Sequence, residues 1–379
     1  MRFFSKIGLL TAAALGRLRI QSRLRHAFVV ALLFVTVAWL DLILDSDLSL
    51  FALYLIPTLY ATWFLGTRWG TLSCLASAVV WVVDDWGEAR FYHHFLIPYW
   101  NVAERLVVLA VIVGIVKALK SSLEDEHEAE RKVTRRELEI ACEVQTRLLP
   151  HSPPHYPGLD VGFFYRPARE VGGDYYDFTP LDGGCMGLAV GDVSGKGLSS
   201  ALLMASLQGL VRTSLAAREG RLSAFVEELN NAMYKLTAMN RYATFFFARV
   251  DVPKQTLTFV NAGHNPPLVW RRDSEAASIL EAGGPPIGLF ADSQYQSGEI
   301  PICSGDVVVA YTDGVVEALN AAGEEFGEEA LQTMVQAYAG LDAGELCKKL
   351  EGRLLAFMAD APQWDDITLV VMKVVPIPE

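Results

Sequence analysis

The sequence predicts an all-α membrane region of four transmembrane helices, followed by an α+β domain. Three observations predict this division. Apolar residues make up 52% of the 379 residues, and the excess lies almost wholly before residue 120. A dense run of charged residues follows, at 120–150. Beyond it lie strand-like segments joined by short turns and helical patterns in consecutive pairs, which is typical of separate sheet and helix layers.

Residues 1–26 contain six basic side chains and no acidic one. We interpret them as a basic amphipathic segment that lies on the cytoplasmic leaflet of a membrane. A secretory signal peptide is the alternative, although Gly16 and Arg17 stand in a poor cleavage region.

Four apolar stretches form the predicted transmembrane region, residues 27–119. Each is near the ~20 residues that a helix needs to cross a bilayer. They cover residues 27–44, 48–66, 70–87 and 98–119. Basic residues flank one side and acidic residues the other. The positive-inside rule therefore predicts a multi-pass protein in contact with membrane lipid, with both termini in the cytoplasm.

Several ionisable residues lie near the predicted outer side: Asp41, Asp84, Asp85, His93, His94, Glu104 and Arg105. Charge inside a membrane is costly and is often functional, so these residues could form a sensor for a small ligand, proton or ion. Residues at the ends of spans that simply reach water are the alternative.

Residues 120–150 predict a charged linker helix. An apolar stripe runs along it at Val133, Ile140, Val144 and Leu148. This stripe favours a coiled coil, and so a homodimer, over a solvated single helix. A proline-rich stretch then ends the helix and opens a domain over residues 151–379.

The C-terminal domain is predicted to contain seven strands and four helices. The predicted strands are 159–165, 175–179, 186–190, 243–250, 256–261, 307–311 and 367–374. The predicted helices are 199–216, 223–238, 328–337 and 343–357. The short turn at 251–255 indicates an antiparallel hairpin.

Charge and cysteine content exclude other classes. The net charge of −12 gives no electrostatic support for binding nucleic acid. The five cysteines are scattered and form no CxxC pair, so neither a disulfide framework nor a zinc site is indicated.

Four acidic segments share one pattern, because each lies at a predicted strand end or turn beside glycine or another acid. They are 172–177, 191–195, 311–314 and 364–368. Strand ends at one edge of a sheet can bring such carboxylates together, and oxygen ligands without His or Cys favour Mg²⁺ or Mn²⁺. Singly, each aspartate is more often a turn former or helix cap, and spacing alone leaves their convergence open.

From about residue 139 onward the chain resembles the SpoIIE/RsbU-type serine phosphatases, a bacterial branch of the metal-dependent PPM (protein phosphatase 2C-like) family. The matching segments, in order, are 143–150, 171–177, 191–197, 262–267, 312–314 and 365–368. The resemblance implies an α-β-β-α sandwich of two antiparallel sheets flanked by helix pairs. It also implies a location in the inner membrane of a bacterium.

The resemblance further implies two Mn²⁺ or Mg²⁺ ions. Asp192 would bridge them and the carbonyl of Val193 would bind one. Asp313 and Asp365 would complete the ligand set, with Asp366 the less favoured of its pair.

Other roles follow from the same resemblance. Asp174 would act as a ligand, directly or through water, with support from Asp177, and water would attack a phosphoserine or phosphothreonine. Arg169 is a candidate phosphate binder, with a solvated turn residue as the alternative. The acid for the leaving group stays open, because Ser194 stands where eukaryotic-type relatives carry His. A metal-bound water could serve, and His264 is either the substitute for that His or a loop-shaping residue.

Lys196 does not complete a Walker A motif, so we interpret it as a turn or helix-start residue.

The resemblance implies a membrane-anchored protein serine/threonine phosphatase whose substrate is a phosphoprotein, typically a STAS-domain anti-sigma-factor antagonist. An inactive sensor or scaffold that binds the same partner is one alternative. A nucleotide cyclase is another, but Tyr175 and Tyr176 break the GGDEF signature that it needs.

Overall fold

The computed structural model of the protein describes residues 23–43, 50–87, 96–217, 221–237 and 241–377. The chain divides into two compact units, Met1–Val133 and Thr134–Glu379. Most of the predicted basic segment, together with His93 and His94, lies outside the described residues. The side chains of Asp84 and Asp85 also lie outside them.

The N-terminal unit is helical throughout its described residues. Its elements are α1 (Arg23–Ile43), a 3-10 turn (Phe51–Tyr54), α2 (Leu55–Tyr60) with a π-helical extension (Ala61–Leu65), α3 (Thr67–Gly87) and α4 (Ile97–Leu148), which continues into the second unit. Gly66 separates the second helical segment from α3 at a φ of 99°, a conformation that glycine adopts without a steric penalty.

Two helices in the described part of the chain are long and apolar enough to cross a membrane, Arg23–Asp41 and Tyr99–Leu148. The apolar segments Phe51–Leu65 and Thr67–Val83 are helical but shorter. Each of the four predicted stretches thus contains helix within its described residues, whereas four complete spans stay a prediction.

An aromatic pair lies at the centre of the N-terminal unit. Tyr54 and Trp81 are buried and meet edge to face, with ring centroids 5.1 Å apart. Two of the ionisable residues singled out from the sequence contact this pair. The Tyr54 hydroxyl donates to Asp41 over 2.9 Å, and the Arg105 guanidinium lies 5.4 Å from the Trp81 ring centroid. Both charged groups thus have partners inside the helical unit.

Helix α4 contains both the fourth apolar stretch and the charged run. Ion pairs one turn apart support its charged part, as between Glu128 and Lys132 at 2.8 Å and between Glu143 and Arg147 at 2.7 Å. Each such exposed pair contributes only about 0.3–0.5 kcal/mol. Most of the apolar stripe is open to solvent, since Ile140 is 50% exposed and Val144 is 56% exposed, whereas Leu148 at its end is half-buried.

The second unit consists of eleven strands and five helices in its described residues, besides the end of α4. The strands are β1 (Leu159–Arg166), β2 (Asp174–Leu181), β3 (Cys185–Val193), β4 (Ala243–Asp251), β5 (Thr256–Ala262), β6 (Leu268–Arg271), β7 (Ala276–Ile279), β8 (Gly283–Gly284), β9 (Gly298–Pro301), β10 (Val307–Tyr311) and β11 (Ile367–Val374). The helices are α5 (Leu198–Ala217), α6 (Leu222–Leu236), α7 (Asp313–Val316), α8 (Glu328–Tyr338) and α9 (Ala343–Met358).

These strands form two sheets. One has the order β1-β11-β10-β6-β7, and the other has the order β2-β3-β4-β5-β8, with β9 also paired to β5. All pairings are antiparallel except the short one between β5 and β8. One hydrophobic core joins the facing surfaces of the sheets and includes residues of α5 and α6, and a second core lies between the first sheet and the helices α8 and α9. The α-β-β-α prediction is therefore confirmed for this unit.

All seven predicted strands and all four predicted helices of this unit are present, with ends that differ by a few residues. The sequence analysis missed β6 to β9 and α7. These elements have two to four residues each, too few to show a period of their own. The short strands among them form because they pair with neighbouring strands of the two sheets.

Candidate active site

The four acidic segments meet at one end of the sandwich. In the second sheet, β2 pairs with β3 so that Asp174 lies opposite Asp192. In the first sheet, Asp313 lies two residues after the end of β10, and Asp365 lies two residues before the start of β11, the neighbour of β10. Strand pairing within each sheet thus brings two of the segments together, and hydrogen bonds join the two pairs.

Two threonine hydroxyls form the link between the sheets. Thr312 and Thr368 both donate to Oδ2 of Asp174, over 2.7 Å and 2.5 Å. The Thr312 hydroxyl also accepts from the main-chain N–H of Thr368 over 3.0 Å. All three side chains are buried, so this network fixes the orientation of Asp174.

The carboxylates perturb one another. Burial, followed by the charges of Asp313 and Asp365, raises the pKa of Asp192 to about 7. Burial, followed by the charge of Asp192, raises the pKa of Asp174 well above its usual value. Groups of like charge held this close need a cation or a retained proton to coexist.

The donor set consists of oxygen atoms. In the described ranges, no group of three or more His, Cys, Asp or Glu side chains is arranged so that it could hold a metal ion by itself. The carbonyl of Val193 belongs to the same end of the sandwich, because a Cβ on Gly173 would come within 2.8 Å of it. Glycine at 173 therefore leaves the space beside the Val193 carbonyl oxygen free of a side chain.

Asp366 differs from its neighbour Asp365. Its Oδ1 accepts from the N–H of Ala168 over 2.7 Å, and its Oδ2 accepts from the N–H of Gly173 over 2.6 Å. Both oxygens thus hold the loop that precedes Asp174. Gln145 on α4 holds the same loop. Its side-chain NH₂ group donates to the carbonyl of Gly172 over 2.7 Å, and its side-chain oxygen accepts from the N–H of Gly172 over 3.0 Å.

Lys196 has a role that the sequence analysis missed. Its Nζ lies 2.8 Å from Oδ2 of Asp365 and donates to the carbonyl of Trp364 over 2.6 Å. The interpretation of Lys196 as a turn or helix-start residue holds for its backbone, which lies two residues before α5, but it did not include this ion pair. A lysine three residues from a predicted ligand was the available signal, but only the fold shows that it reaches Asp365.

The expected support of Asp174 by Asp177 was also wrong. The two residues lie three positions apart on β2, so their side chains point to opposite faces of the sheet. Asp177 instead accepts from Nε of Arg212 on α5 over 3.0 Å and from the main-chain N–H of Phe178 over 2.9 Å.

Two arginines flank the loop between β3 and α5. Arg169 is exposed, and its Nη1 would lie 3.7 Å from a Cβ on Gly197. The structure thus brings Arg169 to the candidate site. Arg241, which the sequence analysis did not single out, donates to the carbonyl of Ser194 over 2.8 Å and shapes the loop.

Ser194 and the candidate acid His264 both have hydrogen-bonding partners. The hydroxyl of Ser194 accepts from the N–H of Tyr242 over 3.0 Å. His264 is buried, and its Nδ1 lies 2.9 Å from the Thr244 hydroxyl. Burial lowers the pKa of His264 to about 4, so the ring is neutral near pH 7. This favours the interpretation of His264 as a loop-shaping residue.

Comparison with known proteins agrees with this arrangement. The chain is similar to the SiaA-PP2C domain of Pseudomonas aeruginosa, with a TM-score of 0.56 and 22% identity over 65% of this chain and 98% of that domain. It is also similar to the RsbU and RsbW domains of Rv1364c from Mycobacterium tuberculosis, with a TM-score of 0.53 and 25% identity over 61% of this chain and 64% of that one. The sandwich with its acidic end thus defines a PP2C-like phosphatase fold.

The sequence comparisons give the particular family. Residues 182–375 match the family described as Stage II sporulation protein E (SpoIIE). The chain is 31% identical over 238 residues to phosphoserine phosphatase RsbU of Bacillus subtilis (strain 168), which covers 62% of this chain and 70% of RsbU. The chain belongs to the SpoIIE family of PP2C-like serine phosphatases.

The hydrogen bonds of Asp366 lead to a prediction. Asp366→Asn replaces one acceptor oxygen with an NH₂ group that faces an N–H donor. The loss of a charge-assisted hydrogen bond costs about 1.5–3 kcal/mol. The hydrogen-exchange rates of the Ala168 and Gly173 amides should therefore rise by about tenfold or more. Hydrogen–deuterium exchange of peptides over residues 167–174, in the full chain in detergent, measures this.

Asp365→Asn is the matched control, because Asp365 accepts from neither amide, and it should leave their exchange unchanged. Equal protection of these amides in Asp366→Asn and the unsubstituted protein would contradict the assignment of Asp366 to the loop.

Proposed function

We propose that the chain is a membrane-anchored, metal-dependent phosphatase that hydrolyses phosphoserine or phosphothreonine on a signalling protein. The observation that carries this proposal is the convergence of Asp174, Asp192, Asp313 and Asp365 at one end of the sandwich. Their mutual effect on pKa values supports it, because a purely structural cluster of buried like charges would be destabilising.

The donor set fits Mn²⁺ or Mg²⁺. Asp192, Asp313, Asp365 and the Val193 carbonyl would hold two ions, and such hard oxygen donors suit these cations. When bound, the ions would offset the charge of the carboxylates and of the phosphoryl group and lower the pKa of an attacking water. Asp366 takes no direct part in this proposal, because both its oxygens serve the loop.

The protein's own groups would position the reactants. Thr312 and Thr368 hold Asp174 in one orientation by donating to the same carboxylate oxygen. The guanidinium of Arg169 has no hydrogen-bonding or ion-pair partner among the described residues, which leaves it available to bind the phosphoryl oxygens. Lys196 would keep Asp365 in place before the ions bind.

A single substitution tests the mechanism. Asp192→Asn removes the charge that would bridge the ions, so Mn²⁺-dependent kcat/KM for p-nitrophenyl phosphate should fall at least a hundredfold, about 2.7 kcal/mol in barrier. Asp273→Asn, at an exposed turn between β6 and β7, is the control and should keep full activity. If Asp192→Asn retained more than a tenth of the activity, the metal-bridging role would be wrong.

Anchoring in the membrane is a second part of the proposal. The apolar faces of α1 and α4 support it, since Phe28 is 69% exposed, Val35 is 63% exposed and Ile115 is 61% exposed. Such surfaces are covered by lipid or by protein. We extend this to four spans with both termini in the cytoplasm, as the charge pattern predicts.

Alkaline carbonate extraction of membranes from expressing cells tests the anchoring. The chain should stay in the pellet after the wash and dissolve only in detergent, because apolar helices of this length partition into the bilayer. Release into the carbonate supernatant would contradict membrane insertion.

The protein substrate follows from the relatives. One similar structure contains the RsbU and RsbW domains of a single protein, which supports a partner-switching pathway. We propose a phosphorylated STAS-domain regulator as the substrate. Gln145 on α4 bonds the main chain of Gly172, in the loop that precedes Asp174. A movement of α4 in response to a signal would therefore shift this loop and alter the site. Pairing of α4 between two subunits stays a prediction.

A further inference from the structure

An open groove of about 240 Å³ lies beside the carboxylate cluster. Its lining includes Lys196, Glu317, Glu325, Met358, Trp364 and Asp365. Because Lys196 and Asp365 also belong to the candidate site, the groove is continuous with the place where a phosphoryl group would be hydrolysed. A polypeptide bound there would extend along this groove.

Trp364 forms an exposed wall of the groove on a fixed backbone. Its side chain is 67% exposed although it directly precedes Asp365. The carbonyl of Trp364 accepts from Lys196 over 2.6 Å, and Gln363 donates to the carbonyls of Arg166 and Asp365, each over 2.8 Å. The indole is therefore an ordered apolar surface open to solvent, a common type of anchor in protein recognition.

Another part of the groove lining carries negative charge. Glu317 and Glu325 are exposed and belong to the segment that follows β10. Main-chain bonds hold this segment, from the N–H of Glu317 to the carbonyl of Asp313 over 2.8 Å and from the N–H of Phe326 to the carbonyl of Ala318 over 2.9 Å. Lys196 is the one cation in the groove lining, and Asp365 neutralises it. The negative charges of the two glutamates are therefore not neutralised by Lys196, and a basic group of a bound ligand could pair with them.

We propose that this groove binds a lysine or arginine next to the phosphorylated residue of the protein substrate. The aliphatic stem of that side chain lies along the Trp364 indole, and its charge pairs with Glu325 and Glu317. A long basic side chain has both the apolar stem and the charge that these two parts of the lining complement. This inference rests on the proposed phosphatase function and adds a preference for the sequence around the phosphoserine.

Two phosphoserine peptides test the proposal with the full chain in detergent and Mn²⁺. They differ in one residue next to the phosphoserine, Lys in one and Glu in the other, and p-nitrophenyl phosphate serves as a substrate without side chains. We expect a KM for the Lys peptide lower by about tenfold, as one anchored, charge-paired side chain gives. Trp364→Ala and Glu325→Gln should each remove most of this difference.

The variants should leave kcat/KM for p-nitrophenyl phosphate within about twofold, which separates recognition from chemistry. Glu325→Lys should reverse the preference toward the Glu peptide. The controls are Glu329→Gln and Phe290→Ala, exposed positions that are not part of the groove lining, and they should change no parameter.

Equal KM values for the two peptides, with p-nitrophenyl phosphate hydrolysed, would overturn the groove proposal alone. Loss of p-nitrophenyl phosphate hydrolysis in Trp364→Ala or Glu325→Gln would also overturn it, by showing an effect on the carboxylate cluster. If the unsubstituted protein hydrolysed none of the three substrates, the proposed function would fail and the groove proposal with it.

Discussion

The repulsion among buried carboxylates is the constraint on which the catalytic end of the sandwich depends. Asp192 and Asp174 face each other across a strand pair, and Asp313 adds its charge from the other sheet. Burial raises their pKa values, so the folded chain holds them together at a cost in stability. A cation that removes this cost would bind with corresponding strength, because its binding relieves the repulsion.

The surrounding residues hold this arrangement in place by main-chain contacts. Glycine at 173 and 314 allows close approach, since a Cβ on Gly314 would lie 1.9 Å from the carbonyl of Asp366. Asp366 and Gln145 bind the same loop, one from the segment before β11 and the other from α4. A movement of the end of α4 would therefore reach the loop before Asp174.

Periodicity and motif positions predicted the two-part chain, the long strands and the four acidic segments. They could not predict partners that are distant in sequence. Three contacts join residues that only the folded packing of strands, loops and helices brings together. They are the ion pair of Lys196 with Asp365, the loop bonds of Asp366 and the pairing of Asp177 with Arg212. The number of complete membrane spans likewise cannot be predicted from composition alone, because a short apolar helix can either cross a membrane or pack inside a protein.

Anomalous diffraction from crystals grown with Mn²⁺ would show whether the carboxylates of both sheets form one binuclear metal site. We expect two anomalous peaks that share Asp192 as a ligand, one of them also bound by Asp365 and neither by Asp366. Absence of peaks at saturating Mn²⁺, or peaks bound to Asp366 in place of Asp365, would contradict it.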